Sequence, residues 1–98
     1  MIDLKERVFG GITAQQVFGS EPPPGELEGL FEAELRGLLA GLDSLDGPGL
    51  AGLKERQKGL DGEINGRPGA MALSQEKIRL YLRFSREYIS RIEEKLGT

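Results

Sequence analysis

Apolar residues recur with helical spacing in three stretches of the 98-residue chain, and no stretch shows the clean apolar–polar alternation of a half-buried strand. The first stretch predicts a helix over about residues 26–45. Its apolar residues fall three or four positions apart, so they form one stripe along a helix. They are Leu27, Leu30, Phe31, Leu35, Leu38, Leu39, Leu42 and Leu45.

The second stretch predicts a helix over about residues 49–64. It follows "DGPG" and precedes "NGRPG", and both segments combine Pro and Gly in the way that marks turns. Its apolar residues keep helical spacing, and Gln57 interrupts them. These residues are Leu50, Leu53, Leu60 and Ile64.

The third stretch predicts the longest helix, over about residues 69–96, and it is apolar on more than one side. Leu73, Leu80 and Phe84 lie off its main stripe. We expect a helix of this kind to pack against more than one partner, which favours self-assembly or binding to another protein. The main stripe consists of Met71, Ile78, Tyr81, Leu82, Ser85, Tyr88, Ile89, Ile92 and Leu96.

Residues 1–25 carry only short apolar pieces, separated by Gly10–Gly11 and closed by the run "SEPPPGE". Three consecutive prolines favour an extended polyproline conformation and cannot lie inside a helix. We therefore predict a flexible N-terminal arm over residues 1–25 and a helical domain over residues 26–98. The predicted fold class is all-α, a helix–turn–helix hairpin with an additional short helix and this arm.

Small residues form a second stripe on the first predicted helix, where Gly29, Ala33, Gly37 and Gly41 recur every four positions. A glycine inside an exposed helix costs roughly 1 kcal/mol relative to alanine. The stripe indicates either close approach by another helix backbone or simply a weak helix in a chain that contains 15 glycines.

Charge is distributed unevenly along the chain, whose formal net charge is −3. Residues 20–47 carry seven acids and one base, a net −6, whereas residues 68–98 carry six bases and four acids, a net +2. Either the two parts attract each other within one chain or between copies, or they are ordinary solvated helix faces. The acidic total argues against nucleic acid as a partner.

The composition offers no catalytic constellation, since the chain contains no His and no Cys. His is the commonest acid–base catalyst near neutral pH, and both residues are the usual zinc ligands. No glycine-rich stretch has the ending of a phosphate-binding loop. We therefore expect a non-enzymatic protein with no cofactor, metal or small-molecule substrate, no transmembrane segment and no cleaved signal peptide.

The turn before the last predicted helix carries a spaced motif: Pro68, six residues, Gln75, five residues and Tyr81. This spacing resembles the turn and second helix of the inner-rod and needle subunits of bacterial type III secretion systems. The segment "AMALSQE" is especially similar to the inner-rod form. The sequence departs from the family pattern at Arg67, where an acid often precedes the proline.

The resemblance implies a structural subunit that polymerises into the inner rod or needle of a secretion channel, with copies of itself and other secretion-apparatus proteins as partners. It implies a cytoplasmic protein that is exported without a signal peptide to the cell envelope or surface. The residues expected to pack within and between subunits are Pro68, Met71, Leu73, Gln75, Ile78, Tyr81, Leu82, Phe84, Tyr88, Ile89 and Ile92. The alternative function is a small cytoplasmic helical adaptor, chaperone or phage-type regulatory protein that binds one protein partner. Rod versus needle, helical symmetry and the residues that face the lumen stay open.

Overall fold

The all-α prediction is confirmed by the structure, a computed structural model that describes residues 3–19, 21–66 and 72–97, with side chains of the last helix described from Gln75 onward. Helices dominate the described part of the chain, and a two-stranded antiparallel sheet precedes them. The elements are β1 (Arg7–Phe9), β2 (Ile12–Thr13), α1 (Ala14–Phe18), α2 (Pro24–Leu42), α3 (Gly47–Asn65) and α4 (Ala72–Leu96).

Local chemistry sets the boundaries of the longer helices near the predicted positions. Pro24 opens α2, because a proline in the first helical turn has no N–H to leave unpaired. Asp46 caps α3, and its Oδ1 accepts a hydrogen bond of 2.9 Å from the Gly49 N–H. Gly97 follows α4 with a φ of 78°, the left-handed conformation in which glycine commonly ends a helix.

The prediction of a flexible arm over residues 1–25 is wrong for residues 7–18, which form β1, β2 and α1. Gly10, with a φ of 57°, and Gly11 make the turn between the two short strands. Two glycines between the apolar residues Phe9 and Ile12 favour a tight hairpin, because glycine adopts positive φ without steric cost. The apolar residues of this segment are buried, and they are Val8, Phe9, Ile12, Ala14 and Val17.

The three long helices alternate in direction around one core. Lys54 lies against Glu93 and Gln57 against Tyr81, so α3 and α4 are antiparallel, as the predicted hairpin requires. The pairing of Glu28 with Arg83 indicates that the start of α2 lies beside the first half of α4. Helix α4 packs against α3, α2 and α1, and it is therefore the central element of the core.

The small-residue stripe of α2 faces solvent in the folded chain. A Cβ atom placed at Gly29, Gly37 or Gly41 would have no neighbouring atom within 4 Å, and Ala33 is exposed. Among the described residues, therefore, no second helix backbone approaches this stripe. If the stripe has a packing role, that role lies outside the fold of the single chain.

Candidate assembly site

The residues predicted to pack within and between subunits separate into three groups. Pro68 and Met71 lie outside the described residues, and Leu73 lies in the first turn of α4 with its side chain also outside the description. Five others are buried inside the chain: Ile78, Tyr81, Phe84, Tyr88 and Ile92. Gln75 is exposed, and Leu82 and Ile89 are half-buried at the edge of α4.

The burial of α4 removes one argument for assembly. The sequence predicted that a helix with apolar residues on several sides needs a partner outside the chain. In the structure α2, α3 and the N-terminal segment cover those sides, and Tyr81 and Ile92 are both 0% exposed. Within the described residues, the large apolar side chains that remain exposed are Leu4, Leu30 and Leu45.

Phe9 occupies the centre of an aromatic cluster that the helices build around it. The centroid of its ring lies 5.3 Å from that of Phe31, 5.8 Å from that of Tyr88, and 6.5 Å from those of Tyr81 and Phe84. All four contacts are edge-to-face, the arrangement that the charge distribution of aromatic rings favours. We call the four surrounding rings the aromatic socket.

A buried polar cluster centred on Gln57 adjoins the aromatic socket. The side-chain amide of Gln57, which is 3% exposed, donates to the Tyr81 hydroxyl over 2.7 Å and to the Ser85 hydroxyl over 3.0 Å. Ser85 in turn donates to the carboxylate of Asp61. No described buried side-chain nitrogen or oxygen lacks a hydrogen-bond partner, so the cluster stabilises one arrangement of α3 against α4.

Burial shifts the pKa of three side chains in this region. Desolvation raises the pKa of Tyr81 above its ordinary value, and the neighbouring Asp61 carboxylate raises it further. Desolvation also raises the pKa of Tyr88. Lys77 is 0% exposed, and desolvation lowers the pKa of its ammonium group. In each case burial favours the neutral form of the side chain.

The outward face of α4 is charged. Arg79, Arg83 and Arg86 are exposed along it, and two shallow grooves run between their side chains. Arg83 pairs with Glu28 of α2 and lies 4.8 Å above the centroid of its neighbour Phe84. Exposed ion pairs of this kind contribute little to stability, roughly 0–1 kcal/mol. The charges of this face therefore contribute little to the stability of the fold.

Among the described residues, no group of three or more Asp and Glu side chains is placed to hold a metal ion. None of the described helices combines the length and the apolar character needed to cross a bilayer.

Comparison with known proteins found no matching family model, no similar curated protein and no similar solved structure.

Sequence reasoning missed two residues that define this site. Phe9 lies within the predicted flexible arm, although it directly precedes Gly10–Gly11 in an apolar pair that is typical of a hairpin. Gln57 was interpreted as an interruption of the apolar stripe of the second helix. Its position on that stripe was itself the signal, because a polar residue at a core position requires buried hydrogen-bond partners.

Proposed function

We propose that this chain is a non-enzymatic structural subunit that assembles with copies of itself through helix packing, in the manner of the inner rod or needle of a type III secretion channel. The observation that carries the proposal is the exposed small-residue stripe of α2. Its three glycines cost the helix roughly 1 kcal/mol each relative to alanine, and no contact inside the described chain compensates for that cost.

Packing against a second molecule would compensate for it. A helix surface without side chains lets another backbone approach closely, and such contacts gain dispersion energy over a long line of atoms. The stripe spans Gly29 to Gly41, about 18 Å of helix at 1.5 Å per residue. This length suits a helix–helix contact between subunits.

The spacing of Pro68, Gln75 and Tyr81 supports the secretion-channel form of the proposal. In the sequence, Pro68 falls between α3 and α4, and Gln75 and Tyr81 fall within α4. Two helices joined through a turn that contains proline are the architecture that the resemblance implies. Repeated contacts between unlike surfaces of identical subunits build open helical assemblies. In this proposal the subunit leaves the cytoplasm without a cleaved signal peptide and meets other secretion-apparatus proteins at the envelope.

The test compares two glycine substitutions on exposed helix faces. We expect Gly37→Leu to reduce self-association strongly, because the new side chain blocks close approach at the stripe. Gly59→Leu on α3 is the matched control, since its Cβ also has no neighbour within 4 Å and lies off the stripe. Light scattering and electron microscopy over a concentration series measure assembly, and circular dichroism checks folding. A wild-type protein that stays monomeric at every concentration contradicts the proposal.

A second candidate function is a helical adaptor, chaperone or phage-type regulatory protein that binds one partner. The observation that favours it is the completeness of the core: α4 is covered within one chain, so folding needs no second copy. In this case the arginines of the outward face of α4 contact the partner. A soluble 1:1 complex that weakens when Arg79 and Arg86 are both changed to Glu, without filaments, favours this function.

A further inference from the structure

We propose that residues 3–19, here called the docking segment, are exchangeable between copies: the aromatic socket that holds this segment in its own chain also accepts the docking segment of a second copy. The proposal rests on the proposed self-assembly for its biological role. It concerns how copies are linked, and its test is separate.

The docking segment has Phe9 as its central anchor, and Val8, Ile12, Ala14 and Val17 are buried beside it. Phe9 is 1% exposed and touches rings from both α2 and α4, so a single residue fills the space between two helices. Binding interfaces concentrate their free energy in the same way, in a few buried aromatic anchors that fill preformed pockets. The relation of the segment to the helices is therefore that of a ligand to its pocket.

Around this anchor, the helices recognise main-chain atoms of the segment. Arg56 Nη2 donates to the Arg7 carbonyl oxygen over 2.9 Å. Tyr81 Oη donates to the Val8 carbonyl oxygen over 3.3 Å, and Gln57 Nε2 lies 3.4 Å from the same oxygen. Because each acceptor is a backbone carbonyl, these bonds depend on where the backbone of the hairpin lies and not on the side chains of Arg7 and Val8.

Two further contacts bind main-chain atoms at the hairpin turn and at the C-terminal end of the segment. The Gly11 N–H donates to Glu34 Oε2 over 3.1 Å, and Lys77 Nζ donates to the Gly19 carbonyl oxygen over 2.7 Å. Every one of these contacts joins the segment to α2, α3 or α4, so a segment from a second copy would make them equally well.

The residues predicted to pack between subunits provide the second argument. Tyr81, Phe84 and Tyr88 are three of the four rings of the aromatic socket, and all are buried beneath Phe9. If a second copy supplies the docking segment, these three rings contact that copy and the core stays filled. Exchange of the segment therefore allows the same residues to be buried in a complete core and to form contacts between copies.

The thermodynamic cost of exchange is small because every native contact is retained. The exchanged and closed forms differ in the entropy of association and in the path of the connection between α1 and α2. The part of that connection beyond the docking segment has four residues, 20–23, and contains Pro22 and Pro23, which stiffen it. Fully extended it spans about 14 Å, so exchange holds two copies side by side. Reciprocal exchange gives a closed dimer, and one-way exchange gives an open chain of subunits.

The test uses disulfides, since the chain has no cysteine of its own. A Cβ atom at Gly10 would lie 3.2 Å from the Cβ of Glu34, near the separation of about 3.8 Å found across disulfides. We would refold a Gly10→Cys chain together with a Glu34→Cys chain at high concentration and oxidise them. The matched control pairs Gly10→Cys with Ser90→Cys, which lies exposed on the outward face of α4.

We expect at least about tenfold more mixed disulfide from the Gly10→Cys and Glu34→Cys pair than from the control pair, because docking holds the two thiols at a high effective concentration. Equal yields from the two pairs overturn the proposal. The doubly substituted single chain should close on itself and lose the ability to exchange.

A second measurement uses the unmodified protein, because cysteine at Gly10 must adopt positive φ and weakens the turn. Labelled and unlabelled chains are refolded together and cross-linked through their amines. Cross-links from Lys5 to Lys54 or Lys58 that join a labelled to an unlabelled chain support exchange, and cross-links confined to single chains overturn it. Filaments without exchanged segments contradict this inference alone. Exchanged dimers that never form filaments contradict the proposed rod or needle alone.

Discussion

The docking segment and α4 are buried against the same aromatic socket, but different parts of the chain fix them there. Helix α4 is held by side chains that recur along one face, such as Ile78, Tyr88 and Ile92. The docking segment is held by five buried apolar side chains, including the ring of Phe9, and by bonds to its backbone carbonyls and N–H groups. An element whose buried side chains recur at a fixed period is visible in the sequence, whereas the short apolar pieces of the docking segment show no such period.

The largest expected effect comes from removing the anchor of the docking segment. We expect Phe9→Ala to lower the free energy of unfolding by about 3–5 kcal/mol, because it empties the centre of four packed rings. Urea unfolding measures the loss. Leu4→Ala in the same segment is the control, since Leu4 is 42% exposed and its truncation should cost little. A loss below about 1 kcal/mol would show that the segment is not part of the cooperative core.

Gln57 tests the polar attachment of the segment. We expect Gln57→Ala to lower the free energy of unfolding by about 1–3 kcal/mol, because it leaves the buried Ser85 hydroxyl and the Val8 carbonyl with fewer partners. Thermal or urea unfolding gives the value. The neighbouring exposed Lys58 provides the control, and its change to Ala should stay within about 0.5 kcal/mol of wild type. If the two substitutions changed the free energy of unfolding equally, the buried hydrogen bonds of Gln57 would not contribute to stability.

Alkaline pH should weaken the socket through Tyr81. Its pKa is raised in the folded chain, so the folded form keeps the phenolic proton after the unfolded form has lost it. The stabilisation is complete below about pH 10 and is lost as pH rises from there toward the raised pKa. Lys77 has the opposite effect: because its pKa is lowered in the folded chain, its contribution to stability increases as pH rises toward the ordinary pKa of lysine.

This dependence is measured by urea unfolding of wild type and Tyr81→Phe at about pH 8 and pH 11. The variant should be less stable at the lower pH, because the hydroxyl bonds to Gln57 and Val8 are gone. It should then lose less stability than wild type on going to the higher pH. Parallel losses in the two proteins would show that Tyr81 titrates normally in the folded chain.

The smallest effect is expected on the exposed stripe of α2, where nothing in the described chain uses the glycines. We expect Gly37→Ala to raise the free energy of unfolding of the monomer by roughly 1 kcal/mol, because alanine is the better helix former and has free space at this position. Differential scanning calorimetry at low concentration gives the shift. If the stripe packs between subunits, the same variant should assemble less readily while its monomer is more stable. Destabilisation of the monomer would reveal a contact of α2 absent from the structure.

The sequence predicted the helical part of this fold because its physical causes are local. The leucines of residues 26–45 and the apolar residues of residues 69–96 recur at helical spacing, and Pro48 and Gly49 mark the break before the second helix. Boundaries moved by a few residues, since capping by Asp46 and the entry through Pro24 depend on individual hydrogen bonds and on the proline ring. All three long helices were found.

The candidate site was predicted only in part. The residues Ile78, Tyr81 and Tyr88 lie on a face of α4 that the chain itself covers. A pattern of apolar residues predicts that a helix face is buried, but it does not predict which part of this chain or of another chain covers that face. Whether these residues also pack between copies stays a prediction, which the exchange of docking segments tests.

What the sequence alone determined is the set of long helices, their apolar faces, the absence of His and Cys, and a small-residue stripe on α2. Only the tertiary structure decided that Phe9 is the centre of the core, that Gln57 is a buried donor and that Gly29, Gly37 and Gly41 face solvent. The reason is physical. Helical periodicity is local and depends on residues three and four positions apart, whereas these three facts depend on which distant segments meet.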